Sequence, residues 1–168
     1  RSGSTRFYVK NKGYRKEKIS SRYNELKKHE NNKGYNDINL INNFADKVKG
    51  TKVELIKTLD LLKKEGKTIV GYGASGGGTM ISNYCGIDNN YVDYVIDDAS
   101  EKHGFYTPGT HLEIKPWESI FEFEIPDYII VLAWGFIDEI INKRKDYLQM
   151  GGKFIVPLPE VKIISEKN

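Results

Sequence analysis

The sequence holds one cysteine and three histidines in 168 residues, and each scarcity closes off a class of protein. A lone thiol, Cys85, cannot make an internal disulfide, so the stapled frameworks of small exported proteins are excluded and a reducing, cytoplasmic setting is expected. Following an apolar-looking helix, it reads as a small buried side chain and not as a nucleophile. His29, His103 and His111 fall on unrelated segments without the spacings that converge on zinc, so no metal site is expected. No apolar run approaches the roughly 18 residues of a membrane span, and no charged-then-apolar leader precedes a cleavage-like site. Also missing are a serine or cysteine beside a base and paired carboxylates on one helix face. No catalytic residue is expected in this chain.

What is present suits one well-buried core: 39% of the residues are hydrophobic, and the length is short for two ordinary domains. The net charge of +3 is unevenly spread, because residues 1–33 carry 11 Lys or Arg against 3 Glu. Such a segment can touch phosphates or acidic surfaces. It lacks the aromatic interleaving of a single-strand binder, so solvation is its ordinary meaning and no nucleic-acid partner is expected. A chain that starts at Arg1 is expected to be processed or cut from something longer.

Residues 4–10 alternate as a strand does, and a polar, lysine-rich stretch follows to Lys18. Ser20 to Glu30 is weakly helical, and Asn31-Asn32-Lys33-Gly34 is a break. Residues 1–35 therefore read as a strand and a basic linker or helix, the remnant of or link to a preceding domain. From Asp37 a stronger helical pattern runs through Ile38, Ile41, Phe44, Ala45 and Val48 to Leu55, Ile56, Leu59 and Leu62, with Gly50 as an interruption midway and Gly66 as its left-handed end. The period then changes. Strands are expected at 68–72, 91–96, 111–114, 128–132 and 153–157, separated by helical segments at 79–84, 117–121 and 137–150. Strands alternating with helices pair in parallel through right-handed crossovers. Residues 36–168 are expected to form a Rossmann-like three-layer α/β/α domain with a mostly parallel sheet.

The run Gly71-Tyr72-Gly73-Ala74-Ser75-Gly76-Gly77-Gly78 follows a strand and opens a helix, which turns a weak glycine pattern into a usable one. Glycines let backbone N–H groups approach a phosphate, and the helix dipole favours its charge. Ser75 and Thr79 add hydroxyls. The alternative is that Gly76-Gly77-Gly78 is a flexible surface loop. Asp97 stands 21 positions after Gly76, where an acidic side chain accepts from ribose hydroxyls or caps a turn; Asp98 would point to the other face. Lys102 is a phosphate partner or a solvated lysine, and Pro108-Gly109 lies in a loop at the same edge of the sheet. Trp134 stacks on a base or plugs the edge of the core.

Several runs taken together resemble one family: Val70-Gly71-Tyr72-Gly73-Ala74-Ser75, Asn83-Tyr84-Cys85-Gly86-Ile87, Tyr94-Val95-Ile96-Asp97-Asp98, Lys102-His103-Gly104 with Thr107-Pro108-Gly109-Thr110-His111, Leu132-Ala133-Trp134-Gly135-Phe136, and Gly152-Lys153-Phe154-Ile155-Val156-Pro157. In order over residues 66–160 they are similar to the C-terminal domain of S-adenosylmethionine-dependent sugar C-methyltransferases. The resemblance implies a full-length enzyme with a zinc-binding N-terminal domain, a middle domain holding S-adenosylmethionine and the catalytic residues, and a C-terminal domain that helps hold a nucleotide diphosphate sugar. On that implication residues 36–168 bind a nucleotide-linked deoxy or keto sugar of bacterial polysaccharide or secondary-metabolite synthesis. The partner is the upstream domain of the same polypeptide, and this chain alone is silent. The family often has a bulkier or basic residue where Gly76-Gly77-Gly78 stands, so backbone donors must suffice here. Three rivals stay open: an NAD(P)-binding domain of a sugar-nucleotide oxidoreductase or epimerase, a non-enzymatic interaction module, and S-adenosylmethionine bound at this turn.

Overall fold

The structure, a computed structural model, describes residues 5–14, 19–122 and 124–166. The chain divides into two compact units, residues 1–48 and 49–168. In the first unit, helix α1 (Ser21–Lys33) starts where the Ser20 hydroxyl accepts from the Tyr23 N–H, and it ends at Gly34 in the left-handed conformation. A serine N-cap satisfies one of the helix's orphan donors, and glycine takes the left-handed exit without a Cβ penalty. None of the residues of α1 is buried. The strand expected over residues 4–10 is not formed: Ser4 lies outside the described residues, and residues 5–10 are exposed and irregular. A strand without a neighbouring edge has no partner for its ladder groups. Helix α2 (Ile38–Lys64) begins in this unit and continues through Gly50 without a break. Its early apolar residues Ile38, Ile41 and Phe44 are exposed, whereas Leu55, Leu59 and Leu62 in the second unit are buried.

The second unit is built on a six-stranded sheet of order β3-β2-β1-β4-β5-β6. Its strands are β1 (Ile69–Tyr72), β2 (Val95–Ile96), β3 (Ile114–Lys115), β4 (Tyr128–Val131), β5 (Lys153–Val156) and β6 (Lys162–Ile164). The first five are parallel and β6 is antiparallel to β5. This is a Rossmann-like α/β arrangement. Period-two alternation sends Ile69, Val95, Tyr128, Ile130 and Ile155 to a layer formed by α2 and α3 (Gly76–Cys85). Val70, Tyr72, Ile96, Ile129, Val131 and Phe154 go to the opposite layer, formed by Trp117, Ile120, α4 (Ile137–Lys143) and α5 (Lys145–Gln149). A sheet covered on both faces needs apolar residues at consecutive positions, which is why its strands read as continuous runs.

Three expected elements come out differently. The strand expected at 91–96 is only Val95–Ile96, because Asp88 turns the chain by accepting from the N–H and side chain of Asn90. The one expected at 111–114 shifts to Ile114–Lys115, since His111 has φ 52°, outside strand geometry. The helix expected over 137–150 is broken at Arg144, with φ −118° and ψ 35°. Strand β6 adds to the expected strands, in a segment after Pro159 where Val161, Ile163 and Ile164 are apolar and Lys162 is exposed.

The strand order places β1 between two strands reached in opposite directions: the chain leaves β1 for β2 on one side and later returns to β4 on the other. Ligands of open α/β sheets bind at such a switch point, outside the carboxyl ends of the strands. At the other end, Asp127 ties the starts of β1 and β4 together by accepting from the Thr68 N–H at 2.9 Å and the Lys67 ammonium at 3.0 Å. Burial works against its charge, but these bonds outweigh it and hold its carboxyl below the ordinary value. A depressed carboxylate contributes stability above the unfolded value, lost as pH falls through the folded one. Asp127→Asn should therefore lower Tm at pH 7, and the two proteins should converge below about pH 4; a gap that persists in acid would contradict this role.

Candidate functional site

At the carboxyl end of β1 the chain turns through Gly73, whose φ of 98° is left-handed. A Cβ there would overlap the Ala133 side chain and stand 3.0 Å from the Ala133 nitrogen. Gly73 is thus required by the close passage of the segment after β4. Gly78 is the second enforced glycine: a Cβ would come within 2.9 Å of both the Gly73 carbonyl and Leu132. Gly71, inside the core, would press on Val95 at 3.0 Å. By contrast, a Cβ at Gly76 meets nothing within 4 Å, and one at Gly77 makes only ordinary contact with Trp134 and Ser75. In the dinucleotide fingerprint the third glycine packs the helix onto the strand. Here that task falls to Gly78, two positions beyond Gly76.

Ser75 caps α3, its hydroxyl accepting from the Gly78 N–H at 3.1 Å. The Ala74 N–H donates to Asp97 at 2.7 Å. The N–H groups of Gly76 and Gly77, in the first turn of α3, have no acceptor among the described residues. These are orphan donors of the kind that bind anions. Trp134, 36% exposed, stands beside them, its Nε1 3.8 Å from where a Gly77 side chain would begin. Thr79 lies one turn into the helix.

Asp97 is 8% exposed, and its carboxylate is already committed. Besides Ala74 it accepts from the Ala99 N–H at 2.9 Å and the Lys102 ammonium at 3.0 Å. Lys102 also donates to the Ala74 carbonyl at 3.1 Å, and His103 Nε2 bonds the Asp97 carbonyl at 2.8 Å. The acidic side chain at the end of β2 and the lysine after it therefore clamp the turn from within. Lys102 is directed at Asp97 and the backbone, so the turn's charge partner is internal.

Tyr72 and Asp98, each one residue along, face the opposite layer. The Tyr72 hydroxyl donates to Asp98 at 2.8 Å, Lys143 bonds the same carboxylate at 2.7 Å, and Arg144 reaches it at 2.6 Å. Arg144 also lies 4.0 Å from the Trp117 ring centre. Burial pushes the Tyr72 phenol up to about 12 against the pull of Arg144. For Asp98 burial opposes the charge, yet Lys143, Tyr72 and Arg144 keep it below the ordinary value. This network explains the break at Arg144. Sequence reading missed it because its members come from four separate elements.

Of the expected site residues, the structure brings Gly73, Ala74, Ser75, Gly76, Gly77, Asp97, Lys102 and Trp134 together at the switch point. Gly71 is core and Tyr72 serves the other face. Pro108 and Gly109 are held further along α3, where the Asn83 amide donates to the Pro108 carbonyl at 2.9 Å and fills the space beside Gly109. Asn83 and Ala133 were not singled out as site residues, although both lie in the runs that carry the resemblance. Among the described residues no group of histidine, cysteine and carboxylate side chains can hold a metal ion, and no helix is long and apolar enough to cross a membrane.

The C-methyltransferase C-terminal domain family matches residues 1–159. A similar protein is the C-methyltransferase NovU of Streptomyces niveus, 32% identical over 125 residues, which cover 74% of this chain and 30% of NovU. The chain thus spans about 30% of the length of that relative.

The two kinds of glycine are separable by experiment. Gly73→Ala should cost about 3 kcal/mol in urea unfolding, from its left-handed φ and the collision with Ala133. Gly76→Ala should stay within about 0.5 kcal/mol of the parent or exceed it slightly. Equal losses at both positions would refute the assignment.

Proposed function

Because the chain belongs to the C-methyltransferase C-terminal domain family, we propose that it is the substrate-holding part of an S-adenosylmethionine-dependent methyltransferase, with a nucleotide-linked deoxy or keto sugar as substrate. The observation that carries this reading is the pair of unpartnered N–H groups at Gly76 and Gly77. They lie at the switch point of the sheet, where a Cβ on Gly76 would meet nothing within 4 Å and the exposed indole of Trp134 stands beside Gly77. A sugar nucleotide offers what such a place takes: diphosphate oxygens for the N–H groups and the helix dipole, and a flat base for Trp134.

S-adenosylmethionine supplies an electrophilic methyl group when bound. Our reading assigns it to a preceding domain, because the residues here suit it poorly: Asp97, the carboxylate that would take ribose hydroxyls, is spent on Ala74, Ala99 and Lys102. The same commitment weighs against a dinucleotide. On this reading the chain works in the cytoplasm, in the synthesis of sugars for polysaccharides or secondary metabolites, and its own residues bind and orient without handling protons.

The charge balance sets the strength of binding. A diphosphate brings about two negative charges, and the helix end offers roughly half a positive one. Lys102 is already paired. This unit is therefore half of a site, completed by cationic groups from elsewhere, and its own affinity should be near millimolar, about 4 kcal/mol.

Calorimetric titration with thymidine diphosphate, guanosine diphosphate, reduced nicotinamide dinucleotide and S-adenosylmethionine tests the reading. A nucleoside diphosphate should bind and the other two should not. Gly76→Val, at a position with open space, should leave the fold intact and weaken binding at least about tenfold. Preference for the dinucleotide would favour an oxidoreductase, and unimpaired binding by the Gly76 variant would remove the turn from the site.

A further inference from the structure

A hollow of about 620 Å³ lies well away from the glycine turn, between the second-unit part of α2 and the exit of α3. Its apolar floor is Val53, Ile56 and Leu61 from α2, with Cys85 and Tyr91 across from them. Val53 is 68% exposed and Leu61 57%, so the floor opens to the surface. Lys52, Lys57 and Lys64 stand along it, with Asp60 as the one carboxylate. Asp60 accepts from the Tyr91 hydroxyl at 2.8 Å, and Lys52 donates to the Tyr84 carbonyl at 2.6 Å. Lys57 and Lys64 make no ion pair or hydrogen bond among the described residues.

The unit as a whole has the opposite sign. Residues 49–168 carry 14 Lys or Arg against 18 Asp or Glu, a balance of −4. A cationic rim around an apolar floor is therefore a local reversal on an acidic body. It attracts a segment that is apolar on one side and acidic on its flanks, and the rest of residues 49–168, acidic in balance, repels the same segment.

We infer that this hollow docks an amphipathic helix with acidic flanks from a partner protein. The groove lies between two helices and offers no strand edge, so the occupant that fits is a third helix, with apolar residues at i, i+3, i+4 and i+7 on the floor and carboxylates at Lys57 and Lys64. A second copy of this chain fits badly. Lys57 is midway between Val53 and Leu61, so a two-fold pairing of this face would set Lys57 against its own copy. An anionic membrane is also disfavoured, because three lysines on a unit of net charge −4 give little net attraction to a charged surface. This inference does not rest on the nucleotide reading.

The test is fluorescence anisotropy of the full chain with a labelled peptide of about 14 residues, with leucine at helical spacing and glutamate elsewhere. A counterpart with lysine in place of glutamate is run beside it. The acidic peptide should bind in the micromolar range and its lysine counterpart at least about tenfold more weakly. Leu61→Ser, at an exposed position, and the pair Lys57→Glu and Lys64→Glu should each weaken the acidic peptide at least about tenfold, with unchanged thermal melting as the control for folding. Equal affinity for the two peptides, or no binding of the acidic one at about 1 mM, would overturn the inference. So would tighter binding to phosphatidylglycerol vesicles that the Lys57→Glu and Lys64→Glu pair abolishes, or a dimer in sedimentation that Leu61→Ser dissolves.

Discussion

The carboxylate of Asp97 is the constraint on which the shape of the site depends. It is a nearly buried charge at the end of β2, and such a charge persists only with donors around it. The donors it collects are the Ala74 N–H, the Ala99 N–H and Lys102. One bond holds the glycine turn against the sheet, one holds the start of the segment after β2, and the ion pair draws in the lysine five residues later. Removing the carboxylate would leave the Ala74 and Ala99 N–H groups without their acceptor and Lys102 without its counter-ion, at a cost of about 1–3 kcal/mol for each N–H left unsatisfied. The first-turn donors that stay open, Gly76 and Gly77, are those the clamp and the Ser75 cap do not reach.

Because β-strand side chains alternate, neighbours at the strand ends serve different layers. Gly73 and Asp97 shape the α3 side, while Tyr72 and Asp98 are bound to Arg144 and Lys143 on the other. The two networks come from adjacent residues of the same two strands, so the ends of β1 and β2 are fastened from both faces. For the function proposed, a rigid edge of this kind is an advantage, since binding geometry held by the scaffold loses little entropy when a ligand arrives.

The α/β alternation was legible because buried parallel strands are short apolar runs between glycines, and Val70-Gly71 and Ile129-Ile130-Val131 show that directly. The glycine run was legible as a turn, but not the division of labour within it. Which glycine is enforced depends on Ala133 and Leu132, about 55 to 60 positions later in the chain, and no local pattern carries that distance. Asp97 was picked out by its position, whereas its internal partners were hidden because a carboxylate near a turn reads alike whether it faces a ribose or a backbone N–H. Arg144 breaks a helix that local periodicity favours, since its guanidinium gains the Asp98 carboxylate and the Trp117 face. Tertiary contacts outweighed propensity there.

The central claim is that a diphosphate meets the backbone of Gly76 and Gly77. Amide chemical shifts of the isotope-labelled chain, followed as thymidine diphosphate is added, test it most directly. The account predicts that the Gly76 and Gly77 amides move first and furthest, with the Trp134 indole N–H following, while those of Gly86 and Gly109 stay still. Shifts centred on Gly86 and Gly109, with the turn unmoved, would contradict it.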